Sequence, residues 1–243
     1  MDDLVFDERA AAMYDETSAH MYDPAELDAT VDLLAGLAGD GAALELAVGT
    51  GRVALPLAAR GVEVHGIDVS QPMVDRLLAK PGADAVPVTI GDMATTTLDR
   101  TFRLVYVVWN SISNLEVQEA QVGCFRNAAA HLEPGGRFLV ELWLPRLQQL
   151  PRGEVHQVFD VSPGHVGVDE YDLLGQRVTS HHWFDAGGRL EVFRSRHRWI
   201  WPAEMDLMGQ LAGLRLHARW GGWRKEPFTA ESERQVAVYE RPA

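Results

Sequence analysis

The feature that most constrains this chain is the segment LELAVGTG at residues 44–51, followed seventeen residues after Gly51 by Asp68. An apolar run that enters a glycine turn predicts a buried strand. Residues 52–60 then predict a helix, and residues 62–67 predict a second strand that ends at the Asp68 carboxylate. This order is a βαβ unit, which is typical of folds that bind an adenosine-containing ligand through an acid on the ribose hydroxyls.

The residues around the glycine turn distinguish between two such ligands. Dinucleotide sites carry a third glycine, but here the glycines stop at Gly51 and the chain continues Arg52-Val53-Ala54. Glu45, at the end of the first strand, would repel a pyrophosphate and suits a cation. S-adenosylmethionine (SAM) carries a sulfonium and an ammonium and no phosphate, so the turn favours SAM over NAD.

Four motifs continue this pattern in order: E-x-x-x-G-x-G from Glu45, GIDVSQPM at 66–73, IGDM at 90–93 and HLEPGGRFLVE at 131–141. With these motifs, residues 10–145 resemble the class I SAM-dependent methyltransferases, although Ala47 stands where many members have a glycine. The resemblance implies an α/β fold, a doubly wound, Rossmann-like, seven-stranded sheet. Residues 102–115 and 141–145 are most similar to small-molecule N-methyltransferases that modify amino sugars.

The resemblance also implies which residues bind SAM. Asp68 would bind the ribose and Asp92 the adenine amino group, while an N-terminal tyrosine, Tyr14 or alternatively Tyr22, would close over the methionine part. The full set of implied cofactor-binding residues is Tyr14, Glu45, Gly49, Gly51, Asp68, Val69, Met73, Asp92, Met93 and Trp109, with Val69 and Met73 covering the adenine.

Composition excludes several functions. The net charge of −13 disfavours a nucleic-acid partner. A single cysteine, Cys124, leaves no cysteine metal cluster, and no spacing of histidines supports a metal site. The N-terminal residues are acidic, unlike a signal peptide, and no apolar run approaches ~18 residues, so we expect a cytoplasmic protein without a membrane partner.

The chain predicts a single methyltransferase domain with three parts: an N-terminal helical cap at 1–40, a SAM-binding core at 41–145, and an antiparallel β insertion at 150–200. The insertion is predicted from β-forming segments at 154–161, 176–184 and 189–200, with a hairpin turn at 186–188. We expect it to cover the acceptor or to supply a homodimer contact. Two final strands, at 214–220 and 235–240, are predicted to complete the sheet as an antiparallel pair.

Acceptor and catalytic residues are predicted from the ends of strands and from the insertion. Asn110, Trp143 and His197 are candidates for binding the acceptor. His181 and His182 are candidates for a general base, but adjacent residues on a strand point to opposite faces, so only one of them can face the acceptor. Arg194, Arg196 and Arg198 share the other face of their strand from His197, and we expect that arginine face to be solvated.

The function predicted from these observations is transfer of a methyl group from SAM to nitrogen or oxygen of a small-molecule acceptor in specialised metabolism. Two alternatives remain at this point. One is an NAD-dependent oxidoreductase, against which Glu45 and the missing third glycine argue. The other is a protein that binds SAM without methylating, either a regulatory module or a cyclase or isomerase.

Overall fold

The computed structural model describes Glu8, Ala11, Tyr14 and residues 23–145, 147–185 and 187–243. Its helices are α1 (Pro24–Ala38), α2 (Ala54–Ala59), α3 (Gln71–Leu78), α4 (Gln118–His131) and α5 (Pro202–Leu211). Its strands are β1 (Ala43–Leu46), β2 (Val64–Asp68), β3 (Val88–Ile90), β4 (Phe102–Val107), β5 (Leu132–Trp143), β6 (His156–Ser162), β7 (His165–Asp172), β8 (Arg177–Asp185), β9 (Leu190–Arg198), β10 (Arg215–Trp220) and β11 (Arg234–Glu240).

Seven strands form the main sheet, in the order β10-β11-β5-β4-β1-β2-β3. Strands β1 to β5 are mutually parallel where they pair, whereas β11 runs antiparallel to both β5 and β10. This confirms the predicted doubly wound α/β fold and the antiparallel final pair. The carboxyl ends of β1, β2 and β4 therefore lie together at one end of the sheet, where open α/β sheets bind ligands. We call this end of the sheet the ligand edge.

Helices cover both faces of the main sheet because its strands are apolar on both sides. One core layer contains Val31, Leu34 and Leu37 of α1, together with Leu57 of α2 and Leu77 of α3. The opposite layer contains Phe125 of α4 and Met205 of α5. Cys124 is buried in this second layer, and burial raises the pKa of its thiol. None of the helices in the described ranges is both long and apolar enough to cross a bilayer.

The insertion forms a separate antiparallel sheet of four strands, in the order β6-β7-β8-β9. The sequence analysis predicts only three strands here, and the structure corrects this by adding β7. Gly187 and Gly188 have φ angles of 69° and 85°, as a tight β8–β9 hairpin requires. Ala186, the first residue of the predicted turn, lies outside the described residues.

Arg198, at the end of β9, contradicts the prediction of a solvated arginine face. Its side chain is buried, and its guanidinium donates to Gln121 Oε1 of α4 at 2.6 Å and to Glu204 Oε1 of α5 at 2.7 Å. The other two arginines of that face, Arg194 and Arg196, are exposed as expected. Arg198 is still paired with Arg177 of the small sheet, but it lies where that sheet meets α4 and α5 of the main domain, so its side chain is covered.

Candidate active site

The glycine turn after β1 requires its glycines for two reasons. Gly49 and Gly51 have φ angles of 56° and 78°, which favour glycine. A Cβ on Gly51 would also lie 2.8 Å from Leu77 Cγ of α3, so the turn passes too close to that helix for a side chain. Ala47 has a φ of 59°, a conformation strained for alanine. A glycine at position 47 would adopt this φ angle without strain, which is a physical reason for the glycine that many family members have there.

Asp68 connects the glycine turn to the start of α3. Its Oδ2 accepts from the Gly49 N–H at 2.7 Å and its Oδ1 accepts from the Ser70 N–H at 2.8 Å. Burial raises the pKa of this carboxyl, and the backbone hydrogen bonds oppose that change. A carboxylate has about four acceptor positions, so the group has capacity to accept from a ligand hydroxyl as well.

Glu45 lies beneath the turn. Its carboxyl is almost fully buried and accepts a hydrogen bond from the Tyr106 hydroxyl of β4 at 2.9 Å. Burial raises the pKa of Glu45 to about 8, against the opposing effects of Tyr106 and of the Arg52 charge. From the sequence, Glu45 is expected to be an ionised carboxylate that suits a cation, whereas this environment favours the protonated acid near neutral pH.

The other residues expected to bind the cofactor differ in accessibility. Val69 is 54% exposed and Asp92 is exposed, so both are available to a ligand at this edge. Met93 packs partly against the core, and Met73 is buried, with its Cε 3.4 Å from a Cβ placed on Gly49. Tyr14 is half-buried in helical backbone, and Tyr22 lies outside the described residues.

The turn after β4 is strained and is held by a buried acid. Trp109 and Asn110 have φ angles of 61° and 58°, an unusual conformation for consecutive non-glycine residues. The Trp109 N–H donates to Glu141 Oε2 of β5 at 2.5 Å, and burial raises the pKa of Glu141. The Arg52 guanidinium lies 4.1 Å from the centre of the Trp109 ring, so the glycine turn and this turn are in contact.

Asn110 and Trp143, two candidates for acceptor binding, lie together at this edge. Asn110 Oδ1 accepts from the Trp143 N–H at 3.3 Å. The Trp143 side chain is 42% exposed, and its ring contacts the Trp109 ring edge-on at 6.0 Å between centroids. An exposed indole beside a polar amide can contact a ligand that enters from the small sheet.

His197 joins the small sheet to this edge. Its Nδ1 lies 3.2 Å from Ser113 Oγ, and the Ser113 hydroxyl donates to the Asn110 carbonyl at 2.6 Å. The other ring nitrogen lies 3.1 Å from Ser195 Oγ. Burial, with a smaller effect of His182, lowers the pKa of His197 to about 4, so the ring is neutral at pH 7.

His181 and His182 lie on opposite faces of the small sheet, as the sequence predicted for adjacent strand residues. His182 pairs with Phe193 and so shares the face of His197, which we call the inner face; His181 pairs with Arg194 on the outer face. On the outer face, His181 Nε2 lies 3.0 Å from Glu170 Oε2. Of the two candidate bases, only His182 is on the face that contacts the ligand edge.

Comparisons with known proteins agree with this arrangement. The methyltransferase domain family matches residues 43–136. The cypemycin N-terminal methyltransferase of a Streptomyces species is 31% identical over 247 residues, covering 99% of both chains. The chain belongs to the SAM-dependent methyltransferases.

Solved structures support the same family. The CcbJ methyltransferase from Streptomyces caelestis is 35% identical, with a TM-score of 0.89 and 100% coverage of both chains. The SAM-bound CalS10, an amino pentose methyltransferase from Micromonospora echinaspora, has the same fold at 21% identity, with a TM-score of 0.71 over 94% of this chain and 96% of that one. Because the chain belongs to this family, the two alternative functions, an NAD-dependent oxidoreductase and a SAM-binding protein that does not methylate, are not retained.

SAM is the cofactor of this methyltransferase, and the edge described above fits it. The free lone pairs of Asp68 can accept from ribose hydroxyls, and the exposed Val69 offers an apolar surface to the adenine. The glycine turn brings backbone close to the ligand without side chains. No group of three or more potential ligands with metal-site geometry occurs among the described residues of the methyltransferase.

The sequence did not single out several residues that the structure places at or near this candidate site. Glu141 has no exposed surface, and its signal was an acid inside the apolar strand segment FLVELW. Arg52 was noted only because it replaces a glycine. Asp169 on the inner face accepts from Ser180 Oγ at 2.6 Å, and no local pattern distinguishes it from other acids of the insertion.

Proposed function

We propose that this methyltransferase methylates an amine nitrogen of a natural product, either a small molecule or the N-terminus of a peptide. The observation that carries the proposal is the chemistry of the inner face. On this face, the cross-strand pair of Asp169 with Ser180 lies between His197 and His182 along the strands. The pKa values of both histidines are lowered, so their rings favour the neutral state. A carboxylate attracts an ammonium, and neutral imidazoles can accept its proton.

The relatives support nitrogen over oxygen. The printed name of the cypemycin enzyme describes an N-terminal methyltransferase. Its identity with this chain extends over nearly the whole length, including the insertion. That enzyme acts on a peptide, so a peptide N-terminus joins the small-molecule amine as a proposed acceptor, and specialised metabolism is the proposed context.

Methyl transfer is a displacement at carbon that depends chiefly on position. Holding the two reactants aligned contributes roughly 7–11 kcal/mol to lowering a bimolecular barrier. Bound SAM supplies an electrophilic methyl group on its sulfonium. In our proposal Asp68 and the glycine turn fix the cofactor, Asn110 and Trp143 contact the acceptor, and the inner face orients the acceptor nitrogen towards the ligand edge.

A panel of acceptors tests the proposal. Purified protein and SAM are incubated with a short peptide that has a free N-terminus, the same peptide N-acetylated, an amino sugar, and the sugar with hydroxyl in place of the amine. We expect mass spectrometry to detect methylation of at least one free amine and none of its blocked or hydroxyl counterpart. Methylation of only the hydroxyl compound would contradict the proposal.

We further propose a cytoplasmic location and a homodimer. The outer face of the small sheet presents exposed apolar side chains, including Val166 and Val192, which supports the proposed homodimer contact. Sedimentation of the purified protein at several concentrations tests the homodimer.

A further inference from the structure

The inner face contains a chain of three hydrogen-bonding side chains that leads from solvent to His182. Asp160 Oδ2 of β6 lies 2.5 Å from His165 Nδ1 of β7, and His165 Nε2 lies 3.0 Å from His182 Nδ1 of β8. The rings of His165 and His182 are stacked, with 5.2 Å between centroids. The Asp160 side chain is 38% exposed and that of His165 19% exposed, so the chain begins at the surface.

In this series of hydrogen bonds, the Asp160 carboxylate determines the tautomer of His182. An ionised carboxylate can only accept, so the proton of a neutral His165 lies on Nδ1. Its Nε2 then carries a lone pair and accepts from His182 Nδ1–H. His182 therefore carries its own lone pair on Nε2, and no partner for Nε2 occurs among the described residues.

Packing holds His182 in this orientation. Its ring is parallel to that of Phe184, at 5.9 Å between centroids, and meets the rings of Phe159 and Phe193 at 5.2 and 5.7 Å. Gly167, directly across from His182, leaves room for Phe159, because a Cβ there would lie 2.3 Å from the Phe159 ring. The imidazole is thus fixed by aromatic contacts, while Phe159 and Phe193 keep exposed surface for a ligand.

We infer that His182 Nε2 is the proton acceptor for an ammonium acceptor substrate, and that Asp160 and His165 are positioning residues that set its tautomer. This rests on the proposed function, since it concerns the same amine. His182 takes one proton from R–NH3⁺, giving R–NH2 and an imidazolium. The nitrogen lone pair then forms the N–CH3 bond while the S–CH3 bond breaks, and its electrons neutralise the sulfonium.

The surrounding charges are consistent with a base that is neutral before it acts. Burial, followed by the effects of His165 and His181, lowers the pKa of His182, and Asp160 opposes this. The other titratable groups on the inner face are His197, which burial keeps neutral, and the acids Asp169 of β7 and Glu191 of β9. The pKa of Asp160 is lowered by hydrogen bonds from Ser162 and His165, so its carboxylate is ionised at neutral pH and maintains the chain.

Asp160→Asn tests the inference with almost no change of shape. The amide can donate to His165 Nδ1, which reverses every hydrogen bond in the chain and leaves a proton on His182 Nε2. The matched control is Glu170→Gln, which makes the same change beside His181 on the outer face. The readouts are SAM affinity, the tautomer of His182 by nitrogen NMR, and kcat/KM from pH 6 to 9 with the peptide of free N-terminus as probe.

We expect Asp160→Asn to lower kcat/KM about tenfold to 100-fold at pH 6, where an α-amine with a pKa of about 7.7–8.0 is mostly protonated. The loss should vanish near pH 9, because the amine then arrives neutral. His182→Gln should behave in the same way, while Glu170→Gln should match the parent protein. SAM affinity should be unchanged in all three variants.

Three results would overturn the inference: an Asp160→Asn variant equal to the parent at pH 6, a loss independent of pH, or a proton on His182 Nε2 in the parent. Failure of the proposed function looks different. In that case the parent methylates no amine at any pH, although the NMR experiment still reports the tautomer.

Discussion

At the scale of single residues, Asp68 shows how one carboxylate can serve both fold and ligand. It accepts from Gly49 and Ser70, so it fixes the glycine turn and the start of α3 relative to one another. In the proposed binding mode it also accepts from the ribose hydroxyls of SAM. A substitution therefore affects cofactor binding in two ways, and an isosteric amide keeps one accepting oxygen where alanine keeps none.

We predict that Asp68→Asn weakens SAM binding by roughly 1.5–3 kcal/mol, the scale of a hydrogen bond to a charged group. Titration calorimetry measures the change, and Asp75→Asn, an exposed acid on α3, is the control. Unchanged SAM affinity in Asp68→Asn would contradict the assignment of Asp68 to the ribose.

Glu45 predicts a dependence of stability on pH. Its pKa is about 8 in the folded protein and near 4.5 in the unfolded chain, so between these values the folded state holds a proton that the unfolded state releases. Stability from this group is complete below about pH 4.5 and falls as the pH rises towards 8. At about 1.36 kcal/mol per pKa unit, the loss is a few kcal/mol.

Glu45→Gln should remove this dependence, because an amide does not titrate. Urea unfolding of parent and variant at pH 5, 6.5 and 8 measures it. We expect the parent to lose stability relative to the variant across this range, with Asp75→Asn following the parent. Parallel curves for Glu45→Gln and the parent would show that Glu45 is ionised in the folded protein.

At the scale of elements, the small sheet is anchored by Arg198. This buried guanidinium bonds to Gln121 of α4 and Glu204 of α5, and Glu204 also accepts from Gln118 and Gln176. The network joins the end of β9 and the start of β8 to two helices of the main domain. The orientation of the small sheet relative to the main domain therefore depends on this network.

Arg198→Met should destabilise the protein by about 1–3 kcal/mol, because it leaves the partly buried Glu204 carboxylate and the buried Gln121 carbonyl oxygen without the donor they share. Denaturant unfolding measures the effect. Arg196→Met, two residues earlier and exposed, should change stability by no more than about 0.5 kcal/mol. Equal effects of the two substitutions would refute the anchoring role.

The elements also show what sequence can predict. Strands β1, β2 and β4 were predicted because they are buried on both faces and read as apolar runs. Strand β7 (HVGVDEYD) was missed because the small sheet is partly exposed on both faces, so polar residues interrupt the alternation. Gly167 also weakens the strand signal, yet it is needed because Phe159 occupies the space of its side chain.

The residues of the candidate site also differ in whether the sequence can predict them. Gly49, Gly51 and Asp68 could be predicted, because the backbone geometry that they need is local and leaves a local motif. The contacts of Glu141 with Trp109 and of Asp160 with His165 join different strands. Such contacts depend on register, which a single sequence does not specify.

At the scale of the whole molecule, the net charge of −13 favours the approach of cations. An ammonium acceptor is attracted from beyond contact distance, and salt screens this attraction over about 8–10 Å at ionic strengths of 0.1–0.15 M. We predict that KM for the peptide acceptor at pH 6 rises several-fold between low salt and 0.5 M salt. At pH 9 the amine is neutral, and KM should change little. Equal salt effects at both pH values would exclude this steering.

The position of β11 has a consequence for how the protein is made. This strand, residues 234–240, lies between β5 and β10 in the middle of that part of the sheet, although it is the last strand in the chain. During synthesis, β5 would therefore wait for almost a hundred further residues to emerge before its open edge is paired. An unpaired edge of this kind invites association with other chains.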